Sequence, residues 1–126
     1  MEKQIINTTN APAPIGPYNQ SVKTGNLLFV SGQIPLDPVS NELVKSGIQD
    51  ETHQVMKNLQ AILTEAGASF KNVVKTTIFL TDMNNFAQVN EVYGSYFTGD
   101  YPARETVQVS GLPKGVDVEI SVIATL

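Results

Sequence analysis

Apolar residues recur along this chain with two periods, and the two periods predict its elements. Ile48, Val55, Leu59, Ile62, Leu63 and Ala66 fall at helical spacing. Ser46 with Gln49 fits a capping box, and Gly67 fits a C-terminal stop. A second helix is expected after the polar run from Asp82 to Asn85. Its apolar stripe is Phe86, Val89, Tyr93, Tyr96 and Phe97, and Gly99 is expected to end it. Leu27 to Ser31 is an apolar run followed by Gly32, which predicts a buried strand ending in a turn. Val73 to Thr81, rich in β-branched residues, reads as a central strand. Thr106 to Val109 predicts a short strand, and Val116 to Thr125 a longer one. In the latter, Val118, Ile120, Val122 and Ala124 alternate with Asp117, Glu119, Ser121 and Thr125.

The punctuation agrees with this order. Ala11 to Pro17 holds three prolines and a glycine, so it is an extended loop. Pro35, Asp37, Pro38, Ser40 and Asn41 mark another. Strands, helix, strand, helix, strand, strand is the pattern of an α+β fold, one sheet with two helices packed on one face. The 126 residues suit one domain spanning 1–126, with no repeat or linker. The second face of such a sheet needs solvent or a partner, and packing as a dimer or trimer would cover it. Only 16% of the residues are charged, which agrees with some surface being lost to assembly.

Charge and residue content then remove whole classes of function. The net charge is −4 and no basic patch exists, so nucleic acid is a poor partner. There is no cysteine and one histidine, His53. Disulfides, thiolate nucleophiles and Cys-ligated metals are excluded, and no carboxylate cluster accompanies the histidine to make a metal site. The N-terminal residues lack the basic and apolar regions of a signal peptide. The longest apolar runs, such as Leu27 to Val30, fall far short of the ~20 residues that cross a bilayer. A cytoplasmic protein without membrane contact is expected.

Several polar residues stand where chemistry is possible. Arg104 leaves the chain just after Pro102 and Ala103, at a position that proline stiffens. A guanidinium there can grip a carboxylate through two parallel hydrogen bonds, although a surface ion pair is the commoner fate of an arginine. Glu119 sits mid-strand between Val118 and Ile120, placed to hold a water as general base or merely to face solvent. Asn90 falls on the stripe of Phe86, Tyr93 and Phe97, where an amide needs a partner from backbone or ligand. Tyr18 and the Ser31-Gly32 pair suit ligand contacts, but also turns and core packing. His53 lies off the helical stripe and reads as a surface residue. Lys75 and Lys114 are candidates to form a Schiff base, and only Lys75, in a threonine-rich strand, is placed to be desolvated.

Six segments in register resemble one known family. They are Ile15-Gly16-Pro17-Tyr18, Val30 to Pro35, Val74 to Leu80, Phe86 to Asn90, Pro102-Ala103-Arg104 and Val118-Glu119-Ile120. The chain resembles the RidA/YjgF proteins, enamine/imine deaminases, over nearly its whole length. That resemblance implies a chorismate-mutase-like fold, a homotrimer with sites in the clefts between subunits, and no cofactor. It implies hydrolysis of 2-imino acids, such as 2-iminobutanoate and 2-iminopropanoate, to 2-keto acids and ammonia. By matching position, Arg104 would bind the substrate carboxylate and Glu119 would orient the attacking water. Tyr18, Ser31, Gly32 and Asn90 would line the pocket.

Two positions depart from the family pattern. Many relatives carry cysteine where this chain has Thr106, whose N–H or hydroxyl is still available to a carboxylate. Glu105 replaces a usually small residue. Strand alternation should turn it away from Arg104 and Thr106; turned inward, it would compete with substrate for the arginine. A non-catalytic protein that binds a small carboxylate as a regulatory signal would use the same arginine. An RNA-cleaving activity, ascribed to some relatives, meets the objection of the acidic charge.

Overall fold

The structure is a computed structural model, and it describes residues 2–126. Its centre is the strand that alternates most strictly. β6 (Val118–Thr125) buries Val118, Ile120, Val122 and Ala124 and turns the residues between them to the other side. It pairs antiparallel with β3 (Leu27–Gln33) and with β4 (Val73–Leu80). Outside β3 lie β2 (Ser21–Thr24) and then β1 (Lys3–Ile6), each antiparallel to its neighbour. Outside β4 lies β5 (Ala103–Gln108), parallel to it. The result is one mixed six-stranded sheet in the order β1-β2-β3-β6-β4-β5.

Two helices cover one face. α1 (Ile48–Glu65) presses Val55, Leu59, Ile62 and Leu63, all fully buried, against the inward side chains of β3 and β6. α2 (Phe86–Gly94) adds Val89 and Tyr93. This is the expected α+β architecture. The other face is bare, and Phe29 and Val107 on it are 42% and 44% exposed.

Several element boundaries differ from the sequence reading. β3 does not stop before Gly32; it runs to Gln33 through a register shift between Val30 and Gln33. β5 begins at Ala103, so Arg104 lies inside a strand and not ahead of it. Pairing with β4 recruits the earlier residues, since Thr76 stands opposite Arg104. α2 ends at Gly94, and Tyr96 and Phe97 follow in irregular chain. Phe70 packs edge-on against both of those rings, which keeps them against the core without helical backbone. No capping box opens α1: Gly47 is its N-cap, and the Ser46 hydroxyl donates instead to Asp50 at 2.7 Å. β1 and β2 are too short to show a period.

Buried polar groups tie the loops down. Gln20 is 2% exposed; its amide N–H groups bond the carbonyls of Thr8, Ala11 and Pro12, at 2.8–3.2 Å. That clamps the proline-rich segment against β2. Asn58 of α1 does the same for the loop after β3, donating to the carbonyls of Ile34 and Leu36. His53 is half-buried, not a free surface residue, because its Nδ1 meets the Tyr96 hydroxyl at 3.0 Å.

Glu51, in the first turn of α1, is 6% exposed. It lines a small cavity with Lys45, Lys114 and Asp117. Burial raises its pKa to about 7, and the neighbouring Asp117 carboxylate adds to the rise. The folded state therefore favours the neutral form. The stability this contributes is complete below the ordinary value of 4.5 and is lost as pH rises through about 7. Glu51→Gln keeps the group neutral. Urea unfolding should find wild type and variant equal at pH 4 and the variant more stable at pH 8. Equal stability at both would show that Glu51 does not titrate in this way.

Candidate active site

The site residues fall into two groups, and the strand alternation decides which belongs where. On β5, Arg104 and Thr106 turn toward the helices, while Glu105 turns to the bare face. There Glu105 forms an ion pair with Lys75 at 2.9 Å, which occupies both residues away from Arg104. The expected orientation of Glu105 is borne out. The Schiff-base reading of Lys75 loses its support, because the amine is paired and partly solvated.

Arg104 is held from several sides. Its guanidinium lies over the rings of Phe86 and Tyr93, with Cζ 5.6 and 5.3 Å from their centroids. That is cation–π range. Its Nη1 donates to Oδ1 of Asn90. Asn90 is exposed at the edge of the α2 stripe rather than buried within it, and the partner its amide needed is this arginine. The group opens on a cavity of about 560 Å³ walled by Asn90, Tyr93, Gly94, Tyr101 and Pro102. Two residues along the strand, on the same face, the Thr106 hydroxyl is buried and has no hydrogen-bond partner. Tyr93 reaches the sheet through its hydroxyl, which donates to Thr76 at 2.9 Å. Burial raises the Tyr93 pKa above that of a free phenol, with the Thr76 bond and the Arg104 charge pulling the other way.

The second group surrounds Glu119. This residue points to the bare face and is half-buried, and burial pushes its carboxyl above the usual carboxylate range. It leans across Gly32 of β3. A Cβ at Gly32 would lie 2.8 Å from Cδ of Glu119, closer than real Cβ contacts come. Glycine is thus required at this position by the neighbouring side chain, not by a turn. Ser31, beside it, donates its hydroxyl to the carbonyl of Asn19 at 2.6 Å and its N–H to the carbonyl of Gln20. These bonds draw the loop carrying Tyr18 onto the end of β3. The Tyr18 hydroxyl accepts from the Ile15 N–H at 3.3 Å, and the side chain is 46% exposed.

The structure therefore joins Arg104 to Asn90, with Thr106 two residues along on the same face, and separately Gly32 to Glu119, with Ser31 next to Gly32 and Tyr18 on the loop that Ser31 holds. Within one chain the sheet lies between the two groups. Thr76, Phe86, Tyr93 and Tyr101 were not singled out from the sequence. Phe86 and Tyr93 belong to the helical stripe, and periodicity cannot tell an aromatic that fills a core from one that also carries a cation. Among the described residues, no group of three or more His, Asp or Glu is arranged to hold a metal ion, and no helix is long and apolar enough to cross a membrane.

The fold is that of the Rid proteins. A Yersinia pestis protein of the conserved Rid family, of unknown function, has a crystal structure that superposes with a TM-score of 0.97 at 50% identity, covering 99% of this chain and 100% of that one. Residues 8–126 match the family described as Endoribonuclease L-PSP, and the chain belongs to it, the RidA/YjgF family. It is 55% identical to the RutC family protein PH0854 of Pyrococcus horikoshii, over 97% of each chain. It is 52% identical to the 2-iminobutanoate/2-iminopropanoate deaminase of Mus musculus, over 97% of this chain and 90% of that one.

The contact between Gly32 and Glu119 can be tested by a double-mutant cycle. Gly32→Ala should cost about 1–3 kcal/mol of unfolding free energy by overpacking against the carboxyl. In a Glu119→Ala background the same change should cost close to nothing. A cost that persists in both backgrounds would place the constraint elsewhere.

Proposed function

We propose that this chain hydrolyses small 2-imino acids, 2-iminobutanoate and 2-iminopropanoate among them, to 2-keto acids and ammonia. The observation that carries this reading is Arg104: a guanidinium braced by Asn90, Phe86 and Tyr93 on the wall of an open cavity, with N–H groups left for an incoming carboxylate. Glu105, the residue best placed in sequence to block it, is turned away. The name of the mouse relative supports the same chemistry.

The carboxylate of the imino acid docks on Arg104, with Asn90 and Thr106 beside it. Protonation of the imine nitrogen makes the adjacent carbon electrophilic. Glu119 holds a water and takes its proton as oxygen bonds to that carbon. The resulting amino alcohol then expels ammonia, the nitrogen receiving a proton and the oxygen losing one as the keto group forms. A carboxyl whose pKa burial raises above the usual carboxylate range is better matched to this transfer than an ordinary one. The protein supplies position and one acid–base group, which is sufficient for a reaction that protonated imines undergo readily.

Arg104 and Glu119 face opposite sides of one sheet, so one chain does not complete this site. We propose that the bare face packs against other copies in a homotrimer. The Glu119 group of one subunit, with Tyr18, Ser31 and Gly32, then meets the Arg104 group of the next. The apolar residues on the bare face, Phe29 and Val107, favour such packing. The family description names an RNA-cleaving activity, but a chain of net charge −4 with a single arginine at its cavity is poorly suited to a phosphate backbone.

The test supplies threonine and threonine dehydratase and follows imine loss with and without this protein. Wild type should accelerate it. Arg104→Ala should lower kcat/KM by about 100-fold, and Glu119→Gln should lower kcat by about 10²–10⁴-fold. No acceleration by wild type, or full activity in Arg104→Ala, would sink the proposal. Calorimetry with 2-ketobutyrate run beside it separates an enzyme from a regulatory binder: binding that depends on Arg104 without turnover favours the latter.

A further inference from the structure

An arginine side chain is long and loses much rotamer freedom when it is fixed, so a guanidinium that must meet a carboxylate gains from being held in advance. The bond to Asn90 cannot do this alone, because Asn90 is itself exposed and can move into solvent. The rigid neighbour is Tyr93. It is 4% exposed, its ring lies 5.3 Å beneath the guanidinium carbon, and its hydroxyl is anchored on Thr76. Thr76 is wholly buried in β4 and stands directly opposite Arg104 in the pairing with β5. The tyrosine thus bridges α2 to the strand next to the one that carries the arginine. Its aromatic face is set by a bond formed under Arg104 itself.

We propose that Thr76 and Tyr93 are positioning residues for Arg104: the buried hydroxyl pair fixes the tyrosine ring, and the ring fixes the guanidinium in the attitude that receives a substrate carboxylate. This rests on the reading of Arg104 as the carboxylate anchor. Thr76 does not line the cavity, and Tyr93, which does, is given no role toward substrate beyond its hold on the arginine. Their effect passes through the arginine, so it belongs to binding and not to the chemical step.

Two alterations remove the same bond from its two ends, Tyr93→Phe, which keeps the ring, and Thr76→Val, which keeps the buried volume. Each alone leaves one hydroxyl buried without a partner and should lower the unfolding midpoint. The double variant leaves none and should recover much of that loss. A merely structural pair would recover its kinetics along with its stability. A positioning pair would not. In the imine-loss assay, both singles and the double should raise KM by about two- to tenfold with kcat within about twofold. Thr76→Ser, which retains the hydroxyl, should restore the wild-type KM.

A measurement that needs no substrate accompanies this one. The Arg104 Nε–H resonance in the ¹⁵N-labelled protein should be displaced by the aromatic rings in wild type. It should move toward the position of a free arginine in Tyr93→Phe, Thr76→Val and the double variant, and Thr76→Ser should return it. Wild-type KM in the double variant, or an Arg104 resonance that none of the changes shifts, would overturn the proposal. If 2-ketobutyrate binding collapses in Arg104→Ala but is untouched in the double variant, positioning fails while the anchor stands. If the resonance moves as expected but Arg104→Ala retains activity, the anchor fails and the positioning of the guanidinium stands.

Discussion

Everything proposed for this molecule depends on the alternation of side chains along its strands. β6 commits Val118, Ile120, Val122 and Ala124 to the core and thereby sends Glu119 to the bare face. β5, two places away in the same sheet, sends Arg104 and Thr106 to the helical face. A slip of one residue in β6 would reverse its set and expose the core, so its register is held by the burial of apolar residues, while that of β5 is held by its parallel pairing with β4. The two charged groups with the clearest chemistry are consequently kept on opposite sides of one layer. That separation turns a question about one chain into a question about assembly.

Each half is built so that its charged group has little freedom. Glu119 lies across a glycine because no larger residue leaves room for it, and the resulting burial raises its pKa. Arg104 rests on two rings and an amide, and the tyrosine ring is pinned from below by Thr76. Tyr93 also belongs to the hydrophobic core and Phe86 packs against it, whereas Arg104, Gly32 and Glu119 do not. In the proposed reaction the arginine meets a carboxylate and the water held by Glu119 meets an electrophile, neither of which the single chain provides.

The sequence made legible what periodicity encodes. The stripe of the first helix, that of the second as far as Tyr93, the alternation of β6 and the outward turn of Glu105 follow from spacing alone, and the structure agrees. β1 and β2 are not legible because strands of four residues have too few positions to show a period. Tyr96 and Phe97 imitated helical spacing because Phe70 holds them against the core in irregular chain. Gly32 has the sequence signature of a turn, but its need for glycine comes from Glu119, far along the chain and adjacent in space. Thr76 and Tyr93 were invisible for the same reason: only the β4–β5 register brings them under Arg104.

The proposal that Arg104 and Glu119 form one site from two copies is most directly tested by mixing. Equal amounts of Arg104→Ala and Glu119→Gln chains are unfolded together, refolded and assayed for imine hydrolysis. Each chain alone should be nearly inactive. In a cyclic trimer with sites between neighbours, random assembly returns both intact residues to about a quarter of the sites, so the mixture should recover about a quarter of wild-type activity. If the mixture is no more active than its two components, the residues do not meet across subunits and the composite site is wrong.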